Sequence, residues 1–415
     1  MWSTVTASLG PSRHEAAEAP CDVASAAVRP LVDARDRPGP IVVAGPSCLD
    51  RLTDRAGRCA KRSAVLVADE TVVRLGYVER VLGALDGLDV RVHQVAAGEP
   101  SAASVDTAAD AVRDAGDAVV VGVGGGSALD TAKQAAVVAG ADFGVEHYAL
   151  AANPLPAGAP VVAIPTTAGT GSEITRTCIV SDRHGRKVWT WGDELWPQLV
   201  LLDPVATATM PTHVTAATGL DAFVHAVEAA TGRRRGPATD APAARATHLI
   251  VEHLPGVVAD GADLDGRQTM QEAALLAGMA IEAGGTGIAH AIGHGLGTLA
   301  HVPHGVAVAV GMAAAIDWNT DGEPAAFAVV AEALGVRVTQ LGDVYRRLLA
   351  ASDFATAVGR VGTLDIDPGE LAGEMIAAEN QPMFDNSCRR PDDSERHVLA
   401  TQTLDIWNEL ARSAT

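Results

Sequence analysis

Asp221 and His225 lie four apart in TGLDAFVHAVEA (218–229), a stretch of helical character, so both project from one helix face. Four of the thirteen histidines, His290, His294, His301 and His304, then fall within fifteen residues. His290 and His294 are again four apart, and His304 sits between Pro303 and Gly305, where a loop or helix start can return it toward the others. One carboxylate and three imidazoles make a nitrogen and oxygen donor set suited to Fe(II) or Zn(II), with room for a substrate oxygen. An Asp/His pair at this spacing is also an ordinary helix-surface pair. The histidine stretch (287–312) is otherwise apolar, however, and an imidazole in such a setting needs a partner that a metal supplies.

Anion binding is the second chemistry. The apolar run AVVVGVG (118–124) leads into Gly125-Gly126-Ser127 and then into a helix. Glycines let the backbone approach a ligand, and free amides at a helix start point at an anion. Gly125, Gly126 and Ser127 are therefore candidates for a pyrophosphate cradle, although a plain strand-to-helix turn has the same look. Asp130 and Lys133 follow on one face of that helix and are read as further cofactor-binding candidates, since only three of the 31 basic residues are lysines: Lys61, Lys133 and Lys187. The string is neither a Walker loop nor a standard Rossmann fingerprint. Asp69 ends the run AVLVAD (64–69), where the carboxyl end of a parallel strand meets ligand; a helix N-cap explains it equally well. A second loop after VVAIP (161–165) concentrates donors at Thr166, Thr167 and Thr170, suited to a pyrophosphate or a nicotinamide amide, or simply to a polar turn.

These side chains need a frame. Short apolar runs at 41–45, 64–69, 90–95, 118–124, 161–165 and 199–204 alternate with helical stretches, the pattern of a parallel sheet covered on both faces. After Pro211 the pattern turns to long Ala- and Leu-rich helical segments. The expected organisation is a flexible or loosely docked extension over 1–37, an α/β dinucleotide-binding domain over 38–208 and a helical metal-binding domain over 209–415. A length of 415 residues fits two domains, since single cores stop growing near roughly 250–300 residues. The net charge of −20 disfavours nucleic acid and anionic membrane surfaces. No apolar run reaches the ~18–20 residues of a membrane span, and no leader of signal-peptide type opens the chain, so the expected location is the cytoplasm. Five scattered cysteines without CxxC spacing read as reduced thiols.

The strings GGGSALDTAK (124–133), PTTAGTGSEIT (165–175), TGLDAFVHAVEA (218–229) and HAIGHGLGTLAHVPHG (290–305) together resemble the iron-containing, group III alcohol dehydrogenase family. The resemblance runs from about residue 41 to the C-terminus. It implies a Rossmann-like parallel-sheet domain followed by a helical domain, the dehydroquinate synthase-like architecture, with a divalent metal in the cleft between them. Carried over by position, Asp221, His225, His290 and His304 match the metal ligands, and His294 matches a histidine beside the nicotinamide that is not a ligand. Gly125, Gly126 and Ser127 match the pyrophosphate loop, Thr166, Thr167 and Thr170 the second cofactor loop, Lys187 a cofactor-contacting lysine, and Asp69 an acid at the adenosine ribose.

The implied activity is a metal-dependent, NAD(P)-linked alcohol dehydrogenase or aldehyde reductase, in which His294 relays the proton. Asp69 favours NAD(H), since its carboxylate repels a 2′-phosphate. The expected partners are a small alcohol or aldehyde and further copies of the chain, as a homodimer or larger homo-oligomer, with no nucleic acid and no membrane. A metal- and NAD-dependent cyclase or lyase of the dehydroquinate synthase type is the alternative on this scaffold, although such proteins resemble a Glu/His/His ligand set with several basic phosphate anchors. Glu282 stands where small or amide residues are usual near the metal cleft, and ENQPMFDNSCR (379–389) replaces an Asn-Pro-Arg motif. Arg176 is read as a salt-bridge partner more readily than as an anion anchor, and Arg233-Arg234-Arg235 as a solvated loop. Thr177, Ile179, Ile281, Thr286 and Met383 are the pocket candidates.

Overall fold

The computed structural model describes residues 39–46, 48–52, 61–96 and 98–414; the expected extension over 1–37 lies outside them. The six apolar runs form one parallel sheet: β1 (Ile41–Ala44), β2 (Ser63–Asp69), β3 (Asp89–Val95), β4 (Ala118–Gly124), β5 (Val161–Pro165) and, after the β6/β7 hairpin introduced below, β8 (Leu199–Leu202). Its strand order is β1-β8-β5-β4-β2-β3. Alternation along β4 sets the two faces. Val119, Val121 and Val123 pack with Tyr77, Val78 and Val81, whereas Ala118 and Val120 pack with Val105, Ala109, Ala132 and Ala136. The covering helices are α1 (Glu70–Arg74), α2 (Tyr77–Ala84), α3 (Ala102–Ala115) and α4 (Gly126–Val138).

Strand order places the chemistry. β5, β4 and β2 are neighbours, with Gly124 in register with Pro165 and Val123 with Ala68. The glycine loop, the threonine loop and Asp69 therefore leave the same carboxyl edge side by side, where open α/β sheets bind ligand.

The antiparallel hairpin of β6 (Thr177–Ser181) and β7 (Lys187–Trp191) was not expected from the sequence. Its turn is closed by Asp182, whose Oδ1 accepts from the backbone N–H of His184 and of Arg186 at 2.8 and 2.9 Å. The hairpin sets Lys187 at the start of β7.

Beyond β8 the described residues contain helices and no strand. Asp203 caps α5 (Pro204–Thr207), and there follow α6 (Thr212–Thr231), α7 (Pro237–Ala259), α8 (Leu264–Gly284), α9 (Ile288–Ala300) and α10 (His304–Gly322), with shorter helices and a last one over Asp393–Ser413. α6 is buried along most of its length, with Leu220, Phe223, Val224 and Val227 in the largest core. Among the described residues no single helix is long and apolar enough to cross a membrane.

Candidate active site

α6, α9 and α10 bring the four expected ligands together. Asp221 and His225 rise from one face of α6, and His290 comes from the first turn of α9. The chain then reverses: His301 takes a left-handed conformation (φ 53°) that ends α9, Val302 and Pro303 follow, and His304 opens α10. One ligand-type atom from each of Asp221, His225, His290 and His304 lies within 4.8 Å of the others. Asp221 Oδ1 stands 3.9, 3.8 and 3.6 Å from Nε2 of His225, His290 and His304. Asp221 Oδ1 and His290 Nε2 are buried and without a hydrogen-bond partner. Two orphaned buried acceptors facing each other are costly unless something positive joins them, so the donor set fits a divalent cation.

The rings are held from behind. His225 Nδ1 meets the carbonyl of Gly169 at 3.3 Å, and His290 Nδ1 meets Glu228 Oε2 at 2.6 Å. A carbonyl only accepts, so His225 Nδ1 carries the hydrogen and leaves Nε2, 3.9 Å from Asp221 Oδ1, as the free donor atom for a cation. Glu228 also accepts from the backbone N–H of Gly287 and Ala289, which fixes it at the start of α9. Burial pushes the Glu228 carboxyl up to about 7 and, more than the neighbouring His225, brings His290 down to about 3. His290 thus stands neutral, the form that ligates a metal. Glu228 escaped the sequence reading, although it lies seven residues after Asp221 and so shares its helix face.

His294 is one turn beyond His290, its ring 5.3 Å from that of His304, centre to centre. Burial first, then the Lys187 ammonium, hold its imidazole down to about 3. Lys187 itself pairs with Glu99 at 2.9 Å. His294 Nδ1 faces Asn380 Oδ1 at 3.2 Å, so the segment that departs from the Asn-Pro-Arg motif reaches the site. His301, like His294, is outside the ligand group; it shapes the turn.

The two loops at the sheet edge interlock. A Cβ on Gly126 would stand 2.9 Å from Thr170 Cγ2, and one on Gly124, at φ +155°, would stand 2.6 Å from Ala128 Cβ. Glycine here permits close packing of the loops and of α4 as well as backbone exposure. Asp69 lies at the end of β2 and caps α1 through Oδ1, which accepts from Thr71 N at 2.6 Å. Thr166 is buried, and Thr167, Thr170 and Ser127 are half-buried.

Asp130 has a use other than the one expected. Its Oδ1 accepts from the Ser172 hydroxyl and its Oδ2 from Ile179 N at 2.8 Å. Lys133, fully buried, donates to the carbonyls of Ser172, Thr175 and Thr177 at 2.8, 3.2 and 3.3 Å. Both side chains bind the threonine loop and the hairpin from behind instead of lining the cradle, because a buried ammonium must satisfy its donors inside the protein.

Glu282 is engaged by Arg176: it accepts from Arg176 Nε at 2.5 Å and from Arg176 N at 2.8 Å. Arg176 further pairs with Asp193 at 2.5 Å and lies 5.0 Å from the rings of Trp191 and Trp196, a salt-bridged clasp from the sheet half to α8. Arg233, Arg234 and Arg235 are exposed yet engaged; Arg233 Nε donates to Ser387 O at 3.0 Å and Arg234 N to Asn386 Oδ1 at 3.2 Å. Thr177, Ile179, Ile281, Thr286 and Met383 are each half-buried.

Residues 39–204 match the family model of iron-containing alcohol dehydrogenase, and residues 215–366 that of the Fe-containing alcohol dehydrogenase family, C-terminal. The chain is 31% identical over 355 residues to a sulfoacetaldehyde reductase of Bilophila wadsworthia (strain 3_1_6), covering 81% of this chain and 91% of that one. It is 34% identical over 319 residues to a 1,3-propanediol dehydrogenase of Klebsiella pneumoniae, covering 74% and 81%. A sulfoacetaldehyde reductase from Bifidobacterium kashiwanohense, solved in complex with NAD+, superposes with a TM-score of 0.80 at 26% identity, covering 89% of this chain and 96% of that one. These matches lend no support to the cyclase or lyase alternative. The chain belongs to the iron-containing alcohol dehydrogenase family.

Proposed function

We propose that the cleft between the sheet half (38–208) and the helical half (209–415) is the active site, and that it takes short primary alcohols and their aldehydes. The activity is reversible hydride transfer between such a substrate and NAD(H), in an enzyme with one divalent metal. The observation that carries the reading is the convergence of two partnerless buried acceptors, Asp221 Oδ1 and His290 Nε2, with His225 and His304. Fe(II) or Zn(II) bound by these four supplies Lewis acidity toward the substrate oxygen.

The chain's own residues do the rest. Asp221 supplies the one negative charge of the ligand set, and Gly169 and Glu228 aim the rings of His225 and His290. The amides of Gly125, Gly126 and Ser127, at the start of α4, receive the pyrophosphate, and Thr166, Thr167, Thr170 and Lys187 hold the nicotinamide half. Asp69 meets the adenosine ribose and selects NAD(H) over NADP(H). His294 takes and returns the hydroxyl proton. Thr177, Ile179, Ile281, Thr286 and Met383 give the substrate pocket a small to medium, mostly apolar lining. We assign the enzyme to the cytoplasm as a homodimer or larger homo-oligomer, in line with the free thiols of Cys48, Cys178 and Cys388.

The test is a panel of short aldehydes offered to metal-loaded enzyme with NADH and with NADPH, followed by the absorbance of the reduced nicotinamide. Aldehyde-dependent oxidation of NADH that is lost in Asp221→Ala is expected. Undiminished turnover in metal-free protein, or a strong preference for NADPH, would overturn the metal or the Asp69 assignment respectively.

A further inference from the structure

Asn380 lies in the segment that stands in place of an Asn-Pro-Arg motif, and it is buried at 1% exposure. Its side-chain amide cannot be turned over. Nδ2 donates to the carbonyl of Glu374 at 2.8 Å, and reversing the amide would set Oδ1 against that oxygen. Oδ1 is thereby committed to facing His294 Nδ1 at 3.2 Å. An amide oxygen only accepts, so the nitrogen opposite it must carry the hydrogen.

The segment is itself anchored. Asn380 N bonds to Ala377 O at 2.9 Å, and Asn386 Nδ2 donates to the carbonyls of Gly284 and Thr286, both at 2.8 Å. Arg233 N closes on Asn386 O at 2.8 Å. The acceptor presented to His294 is thus held by backbone contacts on several sides.

We propose that Asn380 is a positioning residue for proton transfer: it fixes His294 as the Nδ1–H tautomer and leaves Nε2 as the sole acceptor of the ring. This rests on the reading above in which His294 takes the hydroxyl proton. Oxidation of an alcohol to its carbonyl compound releases two electrons with one hydrogen, taken up as hydride by NAD+, and one proton. That proton goes to Nε2, giving an imidazolium whose Nδ1–H stays on Asn380 until Nε2 passes its proton to solvent. In aldehyde reduction the same Nε2–H donates. The opposite tautomer has no lone pair at Nε2 and serves neither direction.

The experiment uses Zn(II)-loaded enzyme labelled with 15N at histidine alone, the His294 resonances being identified by their loss in His294→Gln. The parent is expected to show a protonated Nδ1 and an unprotonated Nε2 at His294. Asn380→Leu removes the acceptor, so it should lose that signature and lower kcat by roughly 10- to 100-fold, with little change in the KM for NAD+. Asn380→Asp controls for packing: it too abandons the Glu374 carbonyl but keeps an acceptor at Nδ1, so it should restore the signature and most of the turnover. An Nε2–H tautomer in the parent, an unchanged tautomer in Asn380→Leu, or an Asp variant as slow as the Leu variant would overturn the proposal. Parental turnover in His294→Gln would instead defeat the proton role of His294 and leave the tautomer assignment standing.

Discussion

His290 Nδ1 and Glu228 Oε2 stand 2.6 Å apart, both buried, one at the start of α9 and the other near the end of α6. This contact joins the two helices and aims the opposite nitrogen of His290 at Asp221. Such outer partners typically set metal affinity by 10- to 100-fold. Glu228→Gln should therefore weaken metal retention by roughly that factor in a chelator competition, with helix content unchanged by circular dichroism. Retention equal to the parent's would show that the carboxylate has no part in holding the ion.

Asp69 serves a helix cap and a proposed cofactor contact at once, and the two separate by substitution. Serine also caps helices, so Asp69→Ser keeps an acceptor for Thr71 N and removes the charge. The expected result is a rise of about tenfold in kcat/KM for NADP+ relative to NAD+, the equivalent of about 1.4 kcal/mol, at nearly constant melting temperature. An unchanged ratio of the two cofactors would mean that Asp69 does not discriminate between them.

Gly126 and Thr170 join the glycine loop and the threonine loop, proposed to hold the cofactor, in close contact. Gly126→Ala places a methyl 2.9 Å from Thr170 Cγ2, and overpacking of this kind typically costs about 1–3 kcal/mol. Steady-state kinetics should show a higher KM for NAD+ with a smaller change in kcat. Thr170→Ser in the same chain removes that Cγ2 and should recover part of the loss; identical kinetics in the single and double variants would mean the strain lies elsewhere.

Glu173 follows the threonine loop at 3% exposure, and burial raises its carboxyl to about 7, against the opposing pull of Lys133. A carboxyl raised on folding stabilises the native state below its ordinary value near 4.5, and that contribution is lost as pH rises through 7. Glu173→Gln carries no such charge. Its melting temperature should exceed the parent's at pH above 7, with the gap closing as pH falls toward 4.5. A gap independent of pH would assign the effect to packing.

The parallel strands were legible because a sheet covered on both faces writes itself as continuous apolar runs, as Val119 through Val123 do. β6 and β7 were not: five residues each, alternating between buried and half-buried, they leave too short a pattern. That Asp221, His225 and the clustered histidines could form one donor group was legible from helical spacing and histidine density; the choice of His290 and His304 among them came from the resemblance. Glu228 was not, because an acid on a helix ordinarily pairs with solvent. Asn380 is separated from His294 by 86 positions and sits in an irregular turn, so no local pattern joins them. Asp130 and Lys133 misled for a related reason: polar residues after a glycine loop look the same whether they meet ligand or are sealed behind it, and only burial distinguishes the two.

The carbonyl of Gly169 belongs to the loop that touches Gly126 on one side and the ring of His225 on the other. A Cβ at Gly169 would also strike Thr218 of α6 at 2.7 Å, so the loop packs closely against that helix. In the reading proposed above, it lies between the turn that receives the dinucleotide and the position of the ion. Thermodynamic reciprocity governs any traffic along it: whatever factor the ion applies to the affinity for dinucleotide, the dinucleotide must apply to the affinity for the ion. A coupling factor carried by this loop would make each ligand a gauge of the other.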